Sequence, residues 1–149
     1  MAFPNYPSGE PGLGVLLLRG NAGCPESFVV QGRVGNLTGP DSSRATHKTS
    51  AHSSDPSSAH TYIPGMLEPG KLTFDLFIKT DSQQDRQLAT DFANGTIIDW
   101  MLQYTVDTLT SHIDFTGFLD SFKLTHPVDG VVMAACSIKL SGKIFYFEN

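Results

Sequence analysis

Residues 71–79, Lys-Leu-Thr-Phe-Asp-Leu-Phe-Ile-Lys, alternate apolar and polar side chains. Leu72, Phe74, Leu76 and Ile78 share one face, Thr73, Asp75 and Lys79 the other, and Phe77 is the exception. A period of two predicts a β-strand with one face in the core. Turn signals stand ahead of it at Pro64-Gly65 and Pro69-Gly70. The period then changes. Asp81 is placed to cap a helix, with Gln84 as its capping-box partner. Leu88 and Phe92 sit four apart beside Ala89 and Ala93, giving one apolar face, and Gly95 suits the left-handed position that ends a helix. The spacing predicts a helix over about residues 82–94, packed as a lid on a sheet.

The remaining pattern is strand and loop. Residues 1–12 hold Pro4, Pro7 and Pro11 and form no helix or central strand; they read as an extended arm that orders on binding. Gly14 to Arg19 and Ser27 to Val34 are strands, the second ended by Gly35-Asn36 and Gly39-Pro40. Residues 41–62 are nearly all polar and read as a long loop without a core of its own, with room for a short strand at Arg44, Thr46 and Lys48. Thr96 to Val106 alternates, with Ile98, Trp100, Leu102 and Tyr104 on one face, and Thr108 to Ser111 reads as a turn. His112 to Leu124 changes phase near Gly117–Asp120, which predicts a β-bulge. Pro127-Val128-Asp129-Gly130 is a hairpin turn into Val131–Leu140, after which Gly142 interrupts. Ile144 to Phe147 is apolar on both faces, so this terminal strand wants a partner in its own subunit or the next. The layer rules then give a mainly β fold. It is an antiparallel β-sandwich or partly closed barrel with one flanking helix, a single domain over residues 13–149.

A chain of 149 residues is long enough for one proper core. Only 17% of it is charged, so the surface is either rich in neutral polar groups or buried in an assembly. The net charge of −5 without any Lys/Arg run argues against a phosphate-gripping nucleic-acid binder. No apolar run approaches the roughly twenty residues of a membrane span, and the N-terminus lacks the pattern of a secretory leader. Cys24 and Cys136 lie far apart, and Cys136 falls in an apolar strand, so synthesis in a reducing cytoplasm is expected.

The chemistry is sparse. There is no nucleophile motif and no phosphate-cradling glycine loop, so neither an enzyme nor a cofactor is expected. His47, His52 and His60, with Asp55 between them, read as exposed loop residues because their spacing is irregular and no frame holds them. His112 and His126 read as surface groups flanking a strand, and Asp114 and Asp120 as exposed polar-face residues.

Three stretches resemble the tail tube (major tail) proteins of lambda-type long-tailed phages with non-contractile tails. They are Ile63-Pro64-Gly65-Met66-Leu67-Glu68-Pro69-Gly70-Lys71-Leu72-Thr73-Phe74, then Leu88 to Thr96, then Phe118-Leu119 through Pro127-Val128-Asp129-Gly130 to Lys143. The resemblance covers residues 60–143 well and 13–59 loosely. It implies hexameric rings that stack into a hollow tube conducting DNA, in the virion tail. Partners would be other copies of the chain and tail proteins such as tape measure, terminator and baseplate, with DNA passing without specific binding and no membrane contact. Ring stacking would fall to the arm 1–12 and to the loop 41–62, through Arg44, His47, Lys48, His52, Asp55, His60 and Tyr62. Phe145, Tyr146 and Phe147 would meet the next subunit. Asp75, Asp99, Asp114 and Asp120 are candidates for the bore, where acidic groups repel a polyanion; outer-surface charge for solubility is the alternative for each. A tail terminator or initiator and a secretion-system tube are related possibilities. A β-sandwich binding module would need exposed aromatics in a loop, and Trp100 reads as core.

Overall fold

The computed structural model describes residues 15–21, 27–31, 34–49, 59–79, 82–106 and 109–148. Among them the alternating segments become strands β1 (Val15–Gly20), β2 (Phe28–Val30), β3 (Val34–Thr38), β4 (Ser43–Lys48), β5 (Tyr62–Glu68) and β6 (Lys71–Phe77). Helix α1 (Gln83–Asn94) follows, then β7 (Ile98–Val106), β8 (Leu109–Thr125) and β9 (Met133–Glu148). Seven strands form one antiparallel sheet in the order β2-β1-β7-β8-β9-β6-β3, while β4 and β5 pair with each other as a separate ribbon. The mainly β, antiparallel fold with one flanking helix is the expected one.

The sheet curls over its own apolar face. Leu17 of β1 and Leu102 of β7 share a buried cluster with Leu72, Phe74 and Leu76 of β6 and with Ala134, Cys136 and Ile138 of β9. Val15 of β1 and Val34 of β3, five strands apart in the order, line one cavity of about 400 Å³. Closure stops short of a barrel, leaving β2 and β3 as edges. Strands β8 and β9 span both halves and carry the bend. Their pairing jumps from Leu119↔Ile138 to Ser121↔Ser137, so Asp120 is the extra residue of a bulge and Phe122 returns to the core side. That is the expected phase change. Gly117 leaves room for the neighbouring strand, since a Cβ there would fall 2.5 Å from the Lys139 carbonyl oxygen. The fully buried Trp100 donates its indole N–H to the Gly117 carbonyl at 3.3 Å. Cys136 is buried as expected, which pushes its thiol up to about 12.

Several local expectations change. The run 27–34 is not one strand: Phe28–Val30 and Val34–Thr38 lie on opposite edges of the sheet. Gln31 ends the first piece, its N–H donating to the Leu17 carbonyl and its side chain turning inward. Pro64-Gly65 is no turn but part of β5, tolerated because the ribbon is bulged between Arg44 and Thr46. The loop 41–62 contains strand at 43–48, while the tip, with His52 and Asp55, lies outside the described residues, as does the arm 1–12. Residues 109–111 of the expected turn belong to β8, and 108 lies outside the described residues. Gly142 does not end β9; it takes φ +82 inside a bulge between the pairs Thr116↔Ser141 and Asp114↔Phe145.

The helix keeps its boundaries and part of its expected contacts. Ser82 is the N-cap; its hydroxyl donates to Gln84 Oε1 at 3.2 Å and accepts no backbone N–H. Asp81 lies outside the described residues. Gly95, at φ +65, closes the C-terminus as expected. The buried face is Asp85, Leu88 and Asp91; Phe92 at its edge stacks on the Phe122 ring, centroids 6.0 Å apart, whereas Ala89 and Ala93 are exposed. Asp91 takes a two-pronged ion pair from Arg19 of β1, Nε–Oδ2 2.6 Å and Nη2–Oδ1 2.9 Å. Asp85 accepts from the Gln31 amide at 3.2 Å and the Lys79 N–H at 2.8 Å. The helix is thus held by two buried carboxylates around one fully buried leucine.

Candidate functional site

The β4–β5 ribbon projects from the sheet. Every residue of β4 is exposed, and Met66 on β5 is 82% exposed. Pairing sets Lys48 opposite Tyr62 and His47 opposite Ile63, so the ribbon carries exposed apolar groups beside basic or titratable ones on both faces. Arg44 donates to the Gly65 carbonyl at 2.9 Å, and His60 is exposed just ahead of β5. The structure therefore brings Arg44, His47, Lys48, His60 and Tyr62 onto one projection.

The base of the ribbon is tied to the sheet by hydrogen bonds. Asp41 Oδ1 accepts the Lys71 N–H at 2.6 Å, and the Asp41 N–H donates to the Lys71 carbonyl at 3.3 Å. Gly70, at φ +83, lies so close that a Cβ would fall 2.4 Å from the Asp41 carbonyl oxygen. Ser42 donates to the Pro69 carbonyl at 3.2 Å, and its hydroxyl lies 2.7 Å from that of Tyr146. Tyr146 belongs to the terminal stretch of β9, where Phe145, Tyr146 and Phe147 are all exposed and Phe147 packs obliquely on Tyr104 at 5.8 Å. The ribbon base and the terminal strand, predicted as separate contacts, are joined.

Asp75, Asp99, Asp114 and Asp120 all come from the side of the sheet opposite the core. Three have partners other than histidine. Asp75 accepts from the Asn36 amide at 2.8 Å, Asp99 from the Thr116 hydroxyl at 2.7 Å, and Asp120 pairs with the Lys71 ammonium at 3.0 Å. Burial opposes charge on Asp120, but the Lys71 ammonium beside it outweighs burial and holds the carboxyl below its usual range. Asp114 runs the other way: burial raises its pKa, His112 offsets part of the rise, and the charges of Glu148 and Asp99 add to it. His112 Nε2 lies 3.4 Å from Asp114 Oδ2, and Glu148 joins the pair through the cross-strand register His112↔Glu148. Donor atoms of the three lie within 4.8 Å of one another. His112 is thus half-buried beside a carboxylate, not a plain surface group. Asp99, Asp114 and Glu148 border a cleft of about 370 Å³ lined also by Phe28, Lys143 and Phe145.

No protein-family model and no curated protein matches the chain. Solved structures do. The SPP1 tail tube is 13% identical at a TM-score of 0.67, the alignment covering 90% of this chain and 77% of that one. The tail of an empty GTA (gene transfer agent) particle is 11% identical at a TM-score of 0.70, covering 95% of this chain and 100% of the other. The chain shares the fold of these two tail structures. The same architecture occurs in the sheath/tube terminator of the PVC extracellular contractile injection system, 14% identical at a TM-score of 0.64 with 95% and 96% coverage. At such identities the likeness shows shared fold alone.

Proposed function

We propose that the chain is a structural subunit of a virion tail tube, forming hexameric rings that stack into the conduit for DNA in a lambda-type, non-contractile tail. The observation that carries this reading is the projecting β4–β5 ribbon, exposed along all of β4, on a fold shared with assembled tubes. A lone two-stranded ribbon is marginal in water, and a neighbouring ring supplies the missing cover. In this reading Arg44, His47, Lys48, His52, Asp55, His60 and Tyr62 meet the next ring, and Phe145, Tyr146 and Phe147 meet the adjacent subunit. Asp75, Asp99, Asp114 and Asp120 face the bore. The C6 symmetry of the GTA tail supports six copies. The role is structural rather than enzymatic, and the other tail proteins are its partners.

The likeness to a tube terminator favours a second reading, a cap that closes a tube without polymerising. Negative-stain microscopy of the concentrated chain separates the two. Tubes are expected from the intact chain, and rings that fail to stack from a chain lacking residues 49–59. Single rings from the intact chain indicate the cap. Tubes of normal length from the shortened chain, or a monomer at every concentration, refute the ring-stacking role.

A further inference from the structure

We propose that His112, Asp114 and Glu148 form a binding site for one divalent transition-metal ion, zinc by donor chemistry, which clamps the end of β9 to β8. The topology builds the site. His112 and Asp114 stand two apart on β8 and so share a face, and Glu148 of β9 pairs directly with His112. The bulges between Ser141 and Glu148 are what bring a glutamate to that position.

Three observations point to an ion. Donor atoms of an imidazole and two carboxylates lie within 4.8 Å of one another. The His112 Nε2 to Asp114 Oδ2 distance is 3.4 Å, close to the edge of about 3.3 Å of a tetrahedron with metal–ligand bonds of about 2.0–2.1 Å, and Glu148, exposed at the strand end, draws in to complete the set. Asp114 Oδ1 is closed off from solvent and meets no hydrogen-bond donor, so half of this carboxylate has exchanged water for nothing. A mixed nitrogen and oxygen set with three protein ligands suits zinc or a neighbouring transition ion better than magnesium, which prefers oxygen alone. The adjoining cleft gives access, and a fourth position is left for water. Of the charged groups bordering the cleft, Asp99 favours a cation and Lys143 opposes it; the Lys143 ammonium lies 5.2 Å from the centre of the Phe145 ring.

The site stands whether or not the chain forms rings. Its test is titration of the chelator-treated full chain with Zn²⁺ in a calorimeter, with Mg²⁺ as comparison. One equivalent of Zn²⁺ is expected to bind, at least tenfold more tightly than to His112→Ala or Glu148→Gln, with the melting temperature rising on addition. Histidine nitrogen NMR of the unaltered chain needs no variant, and Zn²⁺ should shift the His112 ring signals. The proposal is overturned by the absence of binding, by equal binding to the His112→Ala chain, or by His112 signals that respond to pH but not to Zn²⁺. The last outcome would leave an ordinary imidazolium–carboxylate pair.

Discussion

Replacing Arg19 by Met removes the guanidinium from Asp91 while keeping much of the side-chain volume. Asp91 is 2% exposed, and the Arg19 side chain is 19% exposed. The variant leaves a carboxylate under the helix with a single weak donor, Gln87 at 3.2 Å. Breaking a buried pair from one side costs about 3–5 kcal/mol because the remaining charge is stranded. The partial exposure of Arg19 places this case near the lower end, about 3 kcal/mol. Against a typical total of roughly 5–15 kcal/mol this is a large fraction. In a domain of this size it lowers the melting temperature by roughly 6–12 °C. Urea unfolding read by Trp100 fluorescence measures it, the indole being fully buried in the folded chain. The double change Arg19→Met with Asp91→Leu removes both charges and should recover most of the loss, since an apolar pair of similar volume needs no partner. A single variant within about 1 kcal/mol of the unaltered chain, or a double variant no more stable than the single, refutes the view that these charges hold α1 in place.

Two further outcomes are expected. Gly70→Ala should cost about 1–2 kcal/mol for the left-handed backbone alone. It should also displace Asp41, so proteolysis of the β4–β5 ribbon accelerates more than global unfolding explains; equal protection in both chains argues against a rigid base. Asp120 has a depressed folded pKa, so its contribution is present above the unfolded value of about 3.9 and is lost as pH falls through the folded one. Asp120→Asn should therefore melt slightly earlier than the unaltered chain at pH 7 and together with it near pH 2, the effect being small because the Lys71 side chain is half exposed.

Whatever depended on local period was legible in the sequence. Alternation gave the core faces of β6, β7 and β9, and the parity change gave the bulge at Asp120, because one extra residue must flip every side chain after it. Gly95 and the Pro127–Gly130 turn were legible because each needs a special backbone. Long-range pairing was not. The helix face is decided by Asp85 and Asp91, which look like solvent-facing residues until Arg19 and Gln31 arrive from a strand more than fifty positions away. A lone arginine inside the apolar run Val15–Gly20 was the available signal. The His112, Asp114 and Glu148 cluster was hidden for the same reason, since Glu148 reaches His112 only through a doubly shifted register. The split of residues 27–34 turned on Gln31, a polar residue that leaves the ladder to satisfy a buried carboxylate.

Partners decide what the acidic face does. Repulsion of a polyanion depends on the net field, not on the number of carboxylates. Asp120 is offset by Lys71, and Lys139 stands beside Lys71 in the β6–β9 register, so that half of the face is close to neutral. Asp99, Asp114 and Glu148 gather at the other half, bordering the cleft with Lys143 as the nearby cation. If six copies turn this face inward, the negative field is a band at one level of the bore rather than an even coating. A divalent ion on His112, Asp114 and Glu148 would cancel much of that band while fixing the terminal strand that carries Phe145, Tyr146 and Phe147. Charge in the channel and order at the subunit edge would then be set by the same three side chains.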